Sequence, residues 1–244
     1  MHNLFLIAGP PSSVSSATMD ILKQHGCSLS LPIPVWGEVR LNNEVPAVWE
    51  VSRRAHTAKY GLDHKEKDFA LYGQVLLSKH DKPCSYEDRL IAKGVEILAA
   101  CGPLQALKLP LAVLVWDFWK QVFSRVASLP QVSVGTLIRQ PHEVAVSWVR
   151  RFGDTSTPLE TVYSILEAYY ACQWQMIDER KVDVVPLRVE RDRYAADLAV
   201  LLGRAGVEFD SARFESVFEE RPTLGVGERQ NYPVFDLYDK LLQL

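Results

Sequence analysis

Four serines fall within five positions, Ser12, Ser13, Ser15 and Ser16, directly behind the breaker Gly9-Pro10-Pro11. Ahead of them, residues 4–8 form an apolar run short enough to be a buried strand. Behind them, residues 17–24 read as a helix, with Thr18, Ile21 and Leu22 at the spacing of an inward face. Strand, tight turn, hydroxyl-rich loop and helix start together make a plan for holding a phosphate or sulfate. The first N–H groups of a helix have no partner within it and point outward, where they bind anions. Serine hydroxyls, with the ring of Pro11 shaping the turn, add donors. The plainer alternative is that the serines only cap the helix, for which two would suffice. No Gly-Lys-Ser/Thr ending follows, so this is not a Walker A loop.

A second stretch carries complementary chemistry: Ile138-Arg-Gln-Pro-His-Glu-Val-Ala-Val-Ser-Trp148. Here an arginine ends a strand, a proline breaks it, and a helix bears a serine about two turns on. Arg139 can offer a bidentate fork to a phosphate and Ser147 a hydroxyl. The alternative pairs Arg139 with a nearby acid and leaves Ser147 packed in its helix. Lys108 lies near another strand end and can bring a cation to the same edge. For a proton acceptor the candidates are Glu38 and His80, while His142 follows Arg139 too closely and is expected to shape the turn.

These groups need a frame. Strands are expected over residues 4–8, 104–111, 131–138 and 182–189, and helices over 17–24, 86–100, 112–127, 143–152, 159–180, 193–204, 214–218 and 236–244. Residues 75–83 read as a short strand or a helix end leading into a polar loop. The charged segment 45–72 reads as a solvated face, a lid or a binding surface. Strands alternating with helices imply an α/β fold, a parallel sheet flanked by helices, with ligands at the carboxyl ends of the strands. That puts 11–16, Lys108, Arg139 and the turn after Val189 on one edge. With no linker or repeat, residues 1–244 read as one domain.

In order and spacing, these stretches resemble the PAPS-dependent sulfotransferase superfamily, in particular its bacterial members. There a Pro-Arg/Lys-Ser-Gly-Thr-Thr loop holds the 5′-phosphosulfate and a later Arg-x-Pro…Ser pattern holds the 3′-phosphate. Arg139-Gln140-Pro141 with Ser147 matches the second pattern, and Pro11 to Ser16 matches the first in part. Trp36-Gly37-Glu38 with Asn42 is similar to a Tyr/Trp-Glu…Leu-Asn segment, residues 107–111 to a Lys-Asp-Pro-Arg segment, and Ala205-Gly206-Val207 to a Leu-Gly-Val helix end. The resemblance implies the sulfotransferase fold, P-loop-like at its first turn, and sulfuryl transfer from PAPS to a small hydroxyl- or amine-bearing acceptor, with PAP as product. It implies Glu38 as base, since related bacterial enzymes use a glutamate near that position. His80 is second, because the cytosolic branch carries a Lys-Thr-His segment between its two phosphate patterns. Arg229, in Gly225-Val-Gly-Glu-Arg229, stands where many members bring a basic loop to the 3′-phosphate. Two departures matter: the first loop's basic residue is Ser12 here, and its glycine is Val14. A cation there stabilises charge developing on the bridging oxygen. Lys108, Arg150 or Arg151 would have to replace it. Otherwise the chain is an inactive or donor-switched relative, a nucleotide-binding or accessory subunit. A nucleotide kinase is a weaker third reading.

Composition sets the outer bounds. At 48% hydrophobic and 23% charged, the 244 residues can bury a core and are not disordered. A net charge of −3 argues against general affinity for nucleic acid or anionic membranes, so an anion must find a local pocket. Four scattered cysteines without a Cys-x-x-Cys pair disfavour a metal site and suit a reducing compartment. With no run of about 20 apolar residues, no membrane span is expected. A cytoplasmic protein is the reading, and a homodimer is compatible with it.

Overall fold

The computed structural model describes residues 3–31, 45–63, 68–109, 111–126, 131–152, 157–179, 183–218 and 231–244. Among these the sheet has four strands, β1 (Asn3–Ala8), β2 (Leu104–Leu109), β3 (Gln131–Ile138) and β4 (Asp183–Arg188), in the order β2-β1-β3-β4. Every pairing is parallel. A central parallel strand is covered on both faces, which explains the unbroken apolar run of β1. Its alternate residues divide the interior. Phe5 and Ile7 join one core with Met19, Ile21 and Leu22; Leu4, Leu6 and Ala8 join the other. Pro186 has no N–H for a ladder and sits on β4, an edge strand where that costs least.

The first core lies under α1 (Ser15–Gln24), α8 (Arg191–Gly203) and α9 (Ser211–Phe218). The opposite face carries α2 (Pro46–Tyr60), α3 (Phe69–Lys79), α4 (Asp88–Ala99), α5 (Trp116–Arg125), α6 (Pro141–Phe152), α7 (Leu159–Asp178) and α10 (Pro233–Leu242). The α/β parallel-sheet expectation is therefore what the chain forms.

Three local expectations change or are decided. Residues 111–115 form a wholly buried turn, and α5 begins only at Trp116. Five consecutive apolar residues have no polar side to turn to water, so they fill the core as a turn. Residues 75–83 contain the end of α3, capped at its start by the Asp68 carboxylate accepting from Leu71 N–H, and not a strand. Segment 45–72 is more than a solvated face: α2 buries Val48, Val51, Ala55, His56 and Tyr60, and turns Arg54 outward. In α4, Ala99 is exposed and Gly94 lies inward against Val122.

Candidate anion-binding site

β1 ends at Ala8 and the chain turns at Gly9, where a side chain would not fit. A Cβ there would lie 2.9 Å from Leu137 Cβ and 2.9 Å from Ser13 Oγ. The loop then takes two left-handed residues, Ser12 at φ 66° and Val14 at φ 60°. Val14 is the N-cap of α1 and has no side-chain oxygen to offer. The serines therefore do not cap the helix from its N-cap position, and no acidic residue lies in the first turn. Ser15 and Ser16 are the first helical residues, half-buried at the open end of the helix. Ser13 is fully buried, and its hydroxyl has no hydrogen-bond partner among the described residues.

Lys108 reaches this helix start from β2. It pairs in register with Ile7, so its side chain leaves the sheet on the α1 face. It is 4% exposed, and its Nζ donates to Ser16 Oγ at 3.1 Å. A buried ammonium beside the positive end of a helix reinforces the local positive potential, which suits an incoming anion.

Arg139 reaches the loop from the end of β3. Its Nη1 donates to the Ser12 carbonyl at 2.8 Å, across 127 residues of sequence. Its Nε donates to Glu143 Oε2 at 2.8 Å, and its own carbonyl accepts from the Tyr170 hydroxyl. Burial holds the Tyr170 phenol well above its ordinary pKa, so it stays a donor. Arg139 thus already has the acid partner that the second reading of its stretch anticipated, and it also holds the first loop. Ser147 lies half-buried two turns along α6. His142 lies in the first turn of α6 and pairs through Nδ1 with Tyr163 Oη at 2.8 Å, which ties α6 to α7. Arg150 and Arg151 are exposed near the end of α6.

The loop serines, Lys108 and Arg139 therefore meet at one sheet edge, with Pro11 half-buried in the turn beside them. His80 does not join them by any contact with the loop; it borders a separate cavity of about 240 Å³ on the other helical face, with Lys59, Trp116, Asp117 and Cys172. Asp117 there accepts from Lys59 Nζ at 3.2 Å, Tyr86 Oη at 3.0 Å and Cys84 N at 3.1 Å. Desolvation pushes the Cys172 thiol up to about 12, which keeps it protonated. Glu38, its neighbours Trp36, Gly37 and Asn42, and the loop with Gly225 and Arg229 lie outside the described residues. Among the described residues no group of three or more His, Cys, Asp or Glu could hold a metal ion, and no helix is long and apolar enough to cross a membrane.

Two site residues were missed from sequence. Glu143 stands four positions after Arg139, the helical spacing of an ion pair, and could have been found that way. Tyr170 lies 31 positions from its partner and gives no local signal.

A parallel α/β sheet whose central strand feeds a hydroxyl-rich, cation-flanked helix start defines a P-loop-like architecture. More narrowly, the fold is that of a sulfotransferase domain. The sulfotransferase domain of the olefin synthase from Synechococcus PCC 7002 is similar over 99% of this chain and 94% of that one, with a TM-score of 0.53 and 16% sequence identity. No protein-family profile matches the sequence, and no curated protein matches it.

Proposed function

We propose that the chain, as one domain over residues 1–244 in a cytoplasmic setting, transfers a sulfuryl group from PAPS to a small hydroxyl- or amine-bearing acceptor. The observation that carries this reading is Lys108, a buried cation 3.1 Å from Ser16 Oγ at the start of the helix behind the first loop. It stands where a loop with Ser12 in place of a basic residue needs positive charge. The N–H groups of the first turn, with Ser13, Ser15 and Ser16, would hold the 5′-phosphosulfate. Lys108 would stabilise charge on the bridging oxygen as the sulfur–oxygen bond breaks. Arg139, Ser147 and Arg229 would take the 3′-phosphate. Glu38 would remove the acceptor proton, with His80 the second candidate.

One observation favours the rival, a catalytically inactive or donor-switched nucleotide-binding subunit. Arg139 is already engaged by Glu143 and the Ser12 carbonyl. Thermal unfolding with 3′,5′-adenosine bisphosphate, against 5′-AMP and ATP, tests the nucleotide site. At a ligand concentration of about 100 times Kd the expected stabilisation is about 2.7 kcal/mol, or roughly 5–10 °C in Tm for a chain of this size. Lys108→Met should abolish that shift, and a melt of the free variant beside wild type separates loss of the site from loss of the fold. A bisphosphate shift retained in Lys108→Met would remove Lys108 from the site. Transfer of a labelled sulfuryl group from PAPS to an acceptor in a screen, with PAP released, then separates the enzyme from its silent rival.

A further inference from the structure

Arg139 is shared between two oxygen acceptors of different kinds. The Ser12 carbonyl, at 2.8 Å, belongs to the first loop and holds it in its left-handed turn. The Glu143 carboxylate, also at 2.8 Å, carries a full negative charge. Both partners of this ion pair are largely withdrawn from water, with side chains 11% and 16% exposed. Glu143 is itself fixed at the start of α6, where its N–H donates to Gln140 Oε1 at 2.9 Å. Its carboxylate therefore occupies the Nε edge of the guanidinium, where a second phosphate could bind, and it does so from α6.

We infer that Glu143 is a specificity-determining residue: a second phosphate that engages the Nε edge of Arg139 must displace its carboxylate. This rests on the nucleotide reading above and refines it. The first phosphate site, at the start of α1, is untouched by the exchange. The second is occupied by a built-in competitor, so the bisphosphate gains little over a monophosphate. The consequence for turnover is easy release of the bisphosphate product, whose second phosphate is held against a returning carboxylate. Arg139 keeps its hold on the Ser12 carbonyl while the exchange proceeds on its other edge, so the loop does not have to unfold for the ligand to leave.

The discriminating measurement is a pair of affinities, for 3′,5′-adenosine bisphosphate and for 5′-AMP, by calorimetry on the full chain. Glu143→Gln keeps the volume and leaves an amide oxygen for Arg139 Nε, removing only the charge. Because like charges facing each other at a binding site are strongly unfavourable, the ratio of bisphosphate to monophosphate affinity should rise on the order of tenfold, with 5′-AMP itself nearly unchanged. Glu143→Ala should raise the ratio as well, and it guards against a special property of glutamine. A role confined to bracing the fold would move both affinities together and leave the ratio alone. An unchanged or lowered ratio, with both nucleotides still bound, overturns the inference and leaves the nucleotide site standing. Failure of wild type and both variants to bind either nucleotide removes the site and this inference with it.

Discussion

Val14 occupies a conformation that its side chain resists, and this yields a test with an inverted sign. At φ 60° and ψ 18° it is left-handed. For an L-residue that region costs about 1–2 kcal/mol, and a β-branched residue there is an outlier. Val14 is also half-buried and packs against the α1-side core. Losing that packing costs about 1 kcal/mol, roughly half the value of a fully buried valine. Val14→Ala and Val14→Gly share this loss, so their difference isolates the backbone. Alanine keeps the Cβ and the strain; glycine sheds about 1–2 kcal/mol of it. Against this, glycine loses about 0.5–1 kcal/mol more than alanine through the greater freedom of its unfolded chain. The glycine variant should therefore be the more stable by about 0.5–1 kcal/mol, although glycine is ordinarily the worse choice beside a helix. In a chain of this length the gap is roughly 1–4 °C in Tm. Urea unfolding followed by circular dichroism, with parallel thermal melts, measures it directly. If alanine equals or exceeds glycine, the left-handed strain at this loop is not real.

Two further outcomes follow from packing and charge. Glu50 accepts from Arg53 Nε at 2.8 Å and from Arg54 Nε at 2.8 Å. The Arg53 hydrogen bond is the main cause that lowers its carboxyl to about 2, with burial opposing it and Arg54 adding to it. A depressed native pKa gives stability that is present above the unfolded value and lost as pH falls toward the native one. Glu50→Gln should therefore cost on the order of 1–3 kcal/mol at neutral pH, a difference that shrinks between about pH 4.5 and pH 2; urea midpoints taken across that range, constant in difference, would remove the pair from the stability of α2. Gly94→Ala would normally stabilise a helix by about 1 kcal/mol. Here the new Cβ would lie 2.5 Å from Val122 Cγ2, and overpacking of about 1–3 kcal/mol should win. The loss should be recovered in a Val122→Ala background, and a Gly94→Ala chain that melts higher than wild type would refute the contact.

What could be read in advance follows from where each signal is stored. β1 is buried on both faces, so residues 4–8 are a bare apolar run and its position is plain, while β3 mixes Ser133, Gly135 and Thr136 with its apolar residues and is marked instead by the Arg139-Gln-Pro break behind it. The first loop was legible as a plan, because a strand, a breaker and a helix start are local patterns. Its conformation was not: nothing in Ser12 or Val14 announces a left-handed backbone, and valine argues against it. Lys108 could be placed on a strand end, but its approach to Ser16 depends on the register of β1 against β2, a contact spanning 92 residues. Order along the chain groups His80 with the phosphate stretches. In space it lies beside α5 and α7, because the loop after α3 packs on the opposite helical face.

The two departures in the first loop are linked through Arg139. A glycine at position 14 would adopt the left-handed turn unaided; valine needs the turn imposed from outside. Arg139 supplies part of that constraint by holding the Ser12 carbonyl, and Tyr170 fixes Arg139 by donating to its backbone. A guanidinium used to shape the loop has less to give a ligand, and Glu143 takes a further share. Lys108 brings a second cation to the same helix start, from β2. The first loop therefore has a cation reaching it from each of its two neighbouring strands, Lys108 from β2 and Arg139 from the end of β3. It follows that the loop's shape should depend on Arg139 more than on any loop residue, and that the anion binding proposed above should depend on Lys108.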